Sequence, residues 1–473
     1  MTLQPNSQEN RTGVERVCTS FWEVEAKHSL LSWEVDGVFP WPLFRMELYY
    51  RITQQVGLFD APHPILGGRK AGDTAAKSAF EETWKKEPTF SSRFRRNIRR
   101  ALHLATGKPN GLLMGGRGGA NGGDLYTDAL RKELGSNVLL IDRALNNERI
   151  DGSYHLGSMQ DTFRKLYKPR SFQFTPEHQR LGEAIRQDLS KALQTDVGDI
   201  GAGCRRRILD FLAVSTGFEK FFKVNPAATL FLTNSYNPTI SAALEGARKN
   251  GARIVELQHG IISRFHLGYS WPGRPPVPYR PDELWCFGDY WHESTPLPGQ
   301  TEARVIGAPY VHELASKHGG VRANNLVVFS SQGVIGRRLL EIALDTARRR
   351  PDKQVLFRLH PSEMLEDYEA LIAELGTIPA NFALSHKDPN IFALLSKTSI
   401  QVGAFSTTLF EGMSLGCRTV AVNLPGCEYM RPAVQRGDVL FVRDVNELVA
   451  RLDDAPYAGN AEYYYAKPVT RLV

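Results

Sequence analysis

The sequence predicts a two-domain α/β protein in which each domain is built on a parallel β-sheet. Short apolar segments that read as strands alternate with helix-length segments from residue 110 onward. The chain has 473 residues, of which 42% are hydrophobic, so it can bury the cores of two domains or more. A proline-rich segment at 271–281 interrupts the pattern, and a second set of elements follows residue 307.

We place the first sheet-based domain at residues 106–300. Its predicted strands are 110–116, 137–142, 228–234, 252–259 and 283–288. Helix-length segments, such as 125–134 and 239–249, lie between several of them. Strand, helix, strand at this spacing is typical of a doubly wound parallel sheet.

We place the second domain at residues 301–455, followed by a tail at 456–473. Its predicted strands are 325–331, 354–361, 399–406 and 418–424, and its helices include 337–350 and 408–415. In open α/β sheets, ligands bind at the carboxyl ends of the strands. Two such domains in tandem should therefore aim both sets of strand ends into a cleft between them.

Residues 1–105 form a mostly helical segment, with helical patterns at 43–56 and 75–105. This segment either extends the first domain as part of an acceptor-binding unit or packs against it. The N-terminus lacks a basic stretch followed by an apolar one, and no run of 18 apolar residues occurs. We therefore expect neither a signal peptide nor a membrane span.

Charge and cysteine usage limit the function classes. Lys and Arg (58) exceed Asp and Glu (51), and basic residues cluster at 91–100, 204–207 and 348–350. Such clusters suit anionic polysaccharides or the inner face of an anionic membrane, although solvated helix faces explain each one equally well. They lack interleaved aromatic residues, which argues against a nucleic-acid partner. The five cysteines show no metal or disulfide spacing, which fits a reducing cytoplasm.

Several common chemistries are missing from the sequence. There is no GxxxxGK[ST] phosphate loop, no HExxH and no GxSxG motif. The glycine-rich segment 115–124 does not match GxGxxG, and no D-x-D pair suits a metal-bound sugar nucleotide. We therefore expect no metal and no cofactor.

Polar groups follow two predicted strands of the second domain. In "FRLHPSE" (357–363) the strand ends at His360, and Pro361 stops the ladder and fixes the backbone there. In "GAFSTTLFEGMSLG" (403–416), Ser406 and Thr407 stand at a helix N-terminus, and Glu411 lies one turn further on. An imidazole and a hydroxyl-rich helix N-terminus both suit an anion such as phosphate. A simple helix cap and an isolated His-Pro pair are the alternatives.

"LQHG" (257–260) ends a strand of the first domain. A core histidine normally lies within a strand, whereas His259 precedes a glycine at the strand's cleft end. We therefore interpret His259 as a reactive or ligand-contacting group.

These segments resemble motifs of GT-B glycosyltransferases that use CMP-activated sugars. "RLHP" followed by "FSTTLFEG" is similar to the HP and paired Ser/Thr motifs of bacterial sialyltransferases, polysialyltransferases and Kdo transferases. "LQHG" resembles the QH motif of capsule-type Kdo transferases and the His-Gly segment of CDP-glycerol glycerophosphotransferases. The resemblance covers residues 225–445 and implies the GT-B fold, in which two Rossmann-like domains with parallel sheets face a central cleft.

The resemblance also implies roles for individual residues. His360, Ser406 and Thr407 would bind the phosphate of the cytidine nucleotide, with Pro361 holding His360 in place. Glu411 would face the ribose or the cytosine. His259 would face the donor across the cleft, and Gln258, in the same motif, would contact the nucleotide donor.

The catalytic carboxylate is less clear, because the acidic motif of the sialyltransferases is incomplete in this chain. Asp124, in the loop after the first predicted strand, and Asp36, in "WEVDGVF", are the candidates. Asp124 is equally suited to cap the following helix, and Asp36 to form a turn. Arg117, in the same loop as Asp124, could contact an acidic sugar or a phosphate or be solvated.

The resemblance predicts a metal-independent enzyme that transfers an acidic sugar, Kdo or a sialic-type nonulosonic acid, from its CMP donor. The acceptor would be a bacterial surface glycan or glycolipid, such as capsule polysaccharide or lipopolysaccharide. The alternatives are a CDP-glycerol-type glycerophosphotransferase, a transferase for another nucleotide sugar, and a non-catalytic polysaccharide-binding protein.

Overall fold

The computed structural model describes residues 13–59, 108–115, 124–136, 138–143, 150, 152–169, 172–318, 322–361 and 363–473. Two parallel sheets, one in each half of the chain, form its framework. The predicted helix at 75–105 and the basic segment at 91–100 lie outside the described residues.

The first sheet has seven strands in the order β3-β2-β1-β4-β5-β6-β7, and all neighbouring strands are parallel. They are β1 (Asn110–Leu113), β2 (Val138–Asp142), β3 (Tyr154–His155), β4 (Thr229–Leu232), β5 (Arg253–Leu257), β6 (Glu283–Cys286) and β7 (Glu302–Val305). Five of them are the predicted strands. β3 has only two residues and β7 carries alternating charges, so neither shows the apolar run of a buried strand.

Helices α1 (Gly13–Lys27) and α2 (Pro40–Gln55) precede the first sheet. α2 starts at a proline, whose fixed φ suits the first helical turn, and it covers most of the predicted helix at 43–56. The helices between the strands are α3 (Asp128–Leu134), α4 (Leu156–Leu166), α5 (Pro176–Leu193), α6 (Ile200–Val224), α7 (Pro238–Arg248) and α8 (Asp289–Glu293).

The second sheet has six parallel strands in the order β10-β9-β8-β11-β12-β13. They are β8 (Ala323–Ser330), β9 (Gln354–Arg358), β10 (Phe382–Ser385), β11 (Thr398–Gly403), β12 (Arg418–Val422) and β13 (Leu440–Val442). The helices are α9 (Pro309–Lys317), α10 (Gly336–Arg349), α11 (Leu365–Leu375), α12 (Ile391–Leu395), α13 (Thr407–Ser414), α14 (Arg431–Gln435) and α15 (Val445–Arg451).

The N-terminal helices contact both halves of the molecule. On the first-domain side, buried Arg45 of α2 donates to the Ser270 carbonyl at 3.0 Å and forms an ion pair with Glu25 of α1. On the other side, the Val14 amide donates to Glu428 at 3.2 Å. The N-terminal segment is therefore packed against the first domain and also reaches the second.

The C-terminal tail returns to the first domain. Ala466 donates to the Phe287 carbonyl at 2.8 Å and Val469 to the Ile306 carbonyl at 3.0 Å. The indole of Trp291 donates to the Tyr464 carbonyl at 2.7 Å. The end of the chain therefore ties the second domain to the first.

The basic segments at 204–207 and 348–350 are largely ion-paired. Arg206 and Arg207 both bind Glu47, and Arg350 binds Asp352 at 2.8 Å. Among the helices that the structure describes, none has the length and apolar character needed to cross a membrane. All five cysteines are buried as free thiols.

Candidate active site

A cavity of about 660 Å³ lies between the two domains. Its walls come from three parts of the chain: helix α2, the loops after β4 and β5, and the loops after β8, β9 and β11. Because these loops follow the carboxyl ends of parallel strands, both sheets point into the same space. Lining residues include Tyr49, Tyr50, Tyr236, His259, Gly260, Gln332, Gly333, His360, Glu363, Ser406 and Thr407.

His360 enters the cavity two residues after the end of β9. Its backbone amide donates to Glu363 Oε2 at 2.5 Å, and Glu363 Oε1 accepts from the Ser331 hydroxyl at 2.9 Å. Burial lowers the pKa of His360, so its imidazole is neutral at pH 7 and can donate from one ring nitrogen. Pro361 follows at an exposed position and does not line the cavity.

Ser406 and Thr407 line the cavity at the N-terminus of α13. Ser406 is the N-cap residue, and its hydroxyl accepts from the Thr408 amide at 3.2 Å. The N-terminus of a helix presents unpaired amides and partial positive charge. The two residues and His360 therefore place hydrogen-bond donors around one end of the cavity.

Glu411 lies behind this helix terminus. It is buried and does not line the cavity, and its Oε1 accepts from the Tyr310 hydroxyl at 2.9 Å. Burial raises the pKa of Glu411 to about 7. The geometry brings Glu411 to Tyr310, and its contact with a ribose stays a prediction.

His259 lines the opposite wall, two residues after β5. Its Nδ1 is 3.3 Å from the Tyr269 hydroxyl, and its ring packs near Tyr126 and Tyr236. Burial, with smaller contributions from His266 and Arg143, lowers the pKa of His259 to about 3. The imidazole is therefore neutral at pH 7 and is placed at the cavity, not inside the core.

Gln258 braces the loop that carries His259. It is buried, donates to the Gly260 carbonyl at 2.9 Å and accepts from the Phe287 amide at 2.9 Å. It does not line the cavity. The geometry gives it a supporting contact, and a direct contact with the nucleotide stays a prediction.

The two predicted acids lie away from the cavity. Asp124 is 2% exposed and accepts from the Gly115 amide at 2.6 Å, the Tyr126 amide at 3.0 Å and the Thr127 hydroxyl at 2.7 Å. Burial raises its pKa. Three donors occupy its carboxylate, so the side chain stabilises the loop that carries it, and a catalytic role stays a prediction.

Asp36 stands in a two-residue turn. It is exposed at φ +55°, followed by Gly37 at φ +77°, and Val35 pairs with Val38 across them. Two consecutive residues at positive φ are what a tight hairpin turn needs, and Asp-Gly is a favoured pair for it. Arg117, the remaining candidate, lies outside the described residues.

Sequence reasoning missed several residues of the site. Glu363 follows His360 by three residues in the quoted segment, and this spacing suits a side chain that bonds back to the backbone. Tyr49 and Tyr50 carry no comparable signal, because aromatic residues at a cleft and in a core look the same in a sequence.

Two Rossmann-like domains that face a cleft across the carboxyl ends of their parallel sheets constitute the GT-B fold. No family model matches the chain, and no curated protein matches it. Several solved structures are similar to the chain in fold.

One of these solved structures is the UDP-GlcNAc 2-epimerase of Methanocaldococcus jannaschii, at 10% identity and a TM-score of 0.42, over 76% of this chain and 96% of that one. The S. aureus MnaA–UDP structure matches at 11% identity and 0.40, over 75% and 93%. MurG of Acinetobacter baumannii matches at 12% identity and 0.34, over 54% and 71%. Likenesses at this level do not extend to function, and the fold assignment rests on the strand order and the cleft.

Proposed function

We propose that the protein is a glycosyltransferase that moves an acidic sugar, Kdo or a sialic-type nonulosonic acid, from a CMP donor to a glycan or glycolipid acceptor. One observation carries this proposal. His259 of the first domain and the group His360, Ser406 and Thr407 of the second, all singled out by the resemblance to CMP-sugar transferases, line the same cavity.

The second-domain wall suits the nucleotide phosphate. His360 is held through its backbone by Glu363, so the imidazole needs little reordering to donate to a phosphate oxygen. The α13 N-terminus adds the Ser406 and Thr407 hydroxyls and its partial positive charge. The CMP phosphate gains negative charge as the sugar departs, and these donors would stabilise that charge.

The first-domain wall suits the acceptor hydroxyl. In the proposed step, the hydroxyl oxygen bonds to the anomeric carbon of the sugar and its proton passes to His259. The bond from that carbon to the phosphate oxygen breaks, and its electron pair leaves with CMP. His259 is neutral at pH 7 and so has a lone pair for the proton. The negative donor phosphate nearby would raise the pKa of His259 and make it a better base.

Contact with an anionic membrane face and independence from metal are part of the same proposal. The pairing of Arg206, Arg207 and Arg350 with acidic residues reduces the positive charge that those segments offer to a membrane. The functional assay is therefore designed to work with soluble components and with a chelator present.

The test is release of CMP from CMP-Kdo and CMP-N-acetylneuraminic acid, with EDTA present and with a mixture of bacterial surface glycans as acceptors. We expect release from one of these donors, and loss of release in His259→Ala and His360→Ala. The matched control is His318→Ala, because this half-buried histidine does not line the cavity. Turnover of CDP-glycerol or UDP-N-acetylglucosamine alone would replace the donor assignment, and no turnover with any donor would contradict an enzymatic role.

A further inference from the structure

A carboxyl group lies buried directly behind His259. Glu256, the penultimate residue of β5, is 0% exposed and stands on the strand face that packs into the main core. Its Oε1 accepts from the Ser235 amide at 3.1 Å and from the Tyr269 hydroxyl at 2.6 Å, while its Oε2 has no hydrogen-bond partner among the described residues. A buried ionisable group with one oxygen unsatisfied is costly, and such groups cluster at functional sites.

Tyr269 connects this carboxylate to the imidazole. Its hydroxyl is 2.6 Å from Glu256 and 3.3 Å from His259 Nδ1. A phenol has one proton, and the shorter contact to a carboxylate takes it. The phenol oxygen is then an acceptor toward His259, so the hydrogen in the longer contact belongs to Nδ1.

The tautomer of His259 follows from this arrangement. With the proton on Nδ1, the lone pair of the neutral ring is on Nε2, for which the described residues provide no hydrogen-bond partner. We propose that Glu256 and Tyr269 are positioning residues that hold His259 in the Nδ1-protonated tautomer, leaving Nε2 to accept the proton of the acceptor hydroxyl. The catalytic half of this proposal rests on the proposed function, whereas the tautomer does not.

The charges around His259 support a role for the Glu256 carboxylate. Arg143 and His266 both disfavour the protonated form of His259, and the rings of Tyr126, Tyr236 and Tyr269 complete its surroundings. A protonated His259 would be unfavourable there without a nearby negative group. Burial raises the pKa of Glu256, while its hydrogen bonds from Ser235 and Tyr269 and the buried guanidinium of Arg280 act in the opposite direction and favour the ionised form. Ionised Glu256, one phenol away, supplies the negative charge.

The first test reads the tautomer directly. In protein labelled with ¹⁵N-histidine, the His259 signals are assigned by their loss in His259→Gln, and their nitrogen shifts report which ring nitrogen carries the proton. We expect Nδ1–H in the wild type. In Glu256→Gln a neutral amide oxygen takes the place of Oε1 and accepts the phenol proton more weakly than a carboxylate does. The phenol can then donate to Nδ1 in part of the molecules, and the Nε2–H form gains population.

The second test is kinetic. We expect kcat of Glu256→Gln to fall on the order of 100-fold, the lower end of what a general base contributes, with KM for the donor and the affinity for CMP little changed. The acidic limb of the kcat profile against pH should also move, which a merely structural role would not cause. Glu283→Gln is the matched control, since Glu283 is a buried carboxylate on the neighbouring strand that bonds Trp285 and not His259.

Tyr269→Phe provides an independent variant if Glu256→Gln does not fold. It removes the acceptor for Nδ1–H, and we expect a mixture of His259 tautomers. An Nε2–H tautomer in the wild type, or an unchanged tautomer in both variants, would overturn the proposal whatever the donor. The tautomer result together with no turnover of CMP donors would instead remove the donor assignment and leave the positioning of His259 intact.

Discussion

Glu363 organises the end of the cavity that contains His360. It accepts from the His360 amide, from the Ser331 hydroxyl and from the Tyr368 hydroxyl. In Glu363→Gln, the amide NH₂ must face one of these donors, which leaves a buried donor unpaired at about 1–3 kcal/mol. We expect that loss in urea unfolding and a weaker affinity for CMP in titration calorimetry.

The control for this change is Glu369→Gln, which alters the same charge at an exposed position of the following helix. It should change the free energy of unfolding by less than about 0.5 kcal/mol. Equal effects of the two substitutions would mean that Glu363 does not organise the His360 loop.

Glu411 should make stability depend on pH. Burial raises its pKa from 4.5 to about 7, so the folded protein holds this proton more tightly than the unfolded chain does. The contribution of Glu411 to the free energy of unfolding should therefore be greatest below pH 4.5, fall as pH rises toward 7, and level off above it, by about 3 kcal/mol in all.

In Glu411→Gln the side chain can still accept from Tyr310 but cannot ionise. The difference in unfolding free energy between wild type and variant should change across pH 4.5 to 7 in urea titrations. Parallel curves across that range would show that Glu411 titrates normally in the folded protein.

Helix α13 has eight residues and begins after a capping serine, Ser406, that also lines the cavity. Ser406→Ala should cost about 1 kcal/mol of stability, whereas Ser406→Gly should cost only a few tenths, because glycine is tolerated at an N-cap. Both remove the hydroxyl, so both should weaken CMP binding. Unfolding and binding measured on the pair separate the cap from the ligand contact.

Asp444 offers the matched control on a neighbouring helix of the same domain. It caps α15 by accepting from the Glu447 amide at 2.9 Å and does not line the cavity. Asp444→Ala should lose about 1 kcal/mol of stability without a change in CMP affinity. If Ser406→Gly bound CMP like the wild type, the hydroxyl would have only a capping role.

The elements that could be predicted from the sequence are those with a strong local pattern. Strands β5 and β11 are short, largely buried segments that carry β-branched residues and end in polar groups. This pattern made both the strands and His259, Ser406 and Thr407 predictable. Short edge strands such as β3 lack such a pattern. The network of Glu256 and Tyr269 joins residues whose spacing along the chain has no local signature.

The C-terminal tail, residues 456–473, should contribute much of the stability of the whole molecule. Tyr464 and Tyr465 are fully buried near Trp291. A chain truncated after Ala455 loses both, at a cost on the order of 6 kcal/mol from about 3 for each buried aromatic side chain. We expect the chain truncated after Ala455 to show no cooperative thermal transition.

Truncation after Lys467 is the control, because it keeps both tyrosines and removes only the last contacts of the tail, such as that of Leu472 with Glu133. It should lower the melting temperature by a few degrees at most. A similar loss in both truncations would place the stabilising contacts in the final six residues instead.

The molecule's central feature, the cavity shared by His259 and His360, could be predicted in outline because both residues follow strands at the carboxyl edge of a sheet. Its third wall could not be predicted, because Tyr49 and Tyr50 of α2 reach it only through the packing of the N-terminal helices. The three hydrogen bonds that occupy the Asp124 carboxylate could not be predicted either, because they depend on how its loop packs.

The most direct measurement is thermal stabilisation of the purified protein by CMP, CDP, UMP, UDP and GDP, in EDTA, for the wild type, His360→Ala and His318→Ala. A ligand that binds only the folded state raises the melting temperature. We predict a shift with CMP in the wild type and in His318→Ala that His360→Ala loses. A shift with UDP or GDP and none with CMP, or a CMP shift that persists in His360→Ala, would contradict the cytidine-nucleotide site.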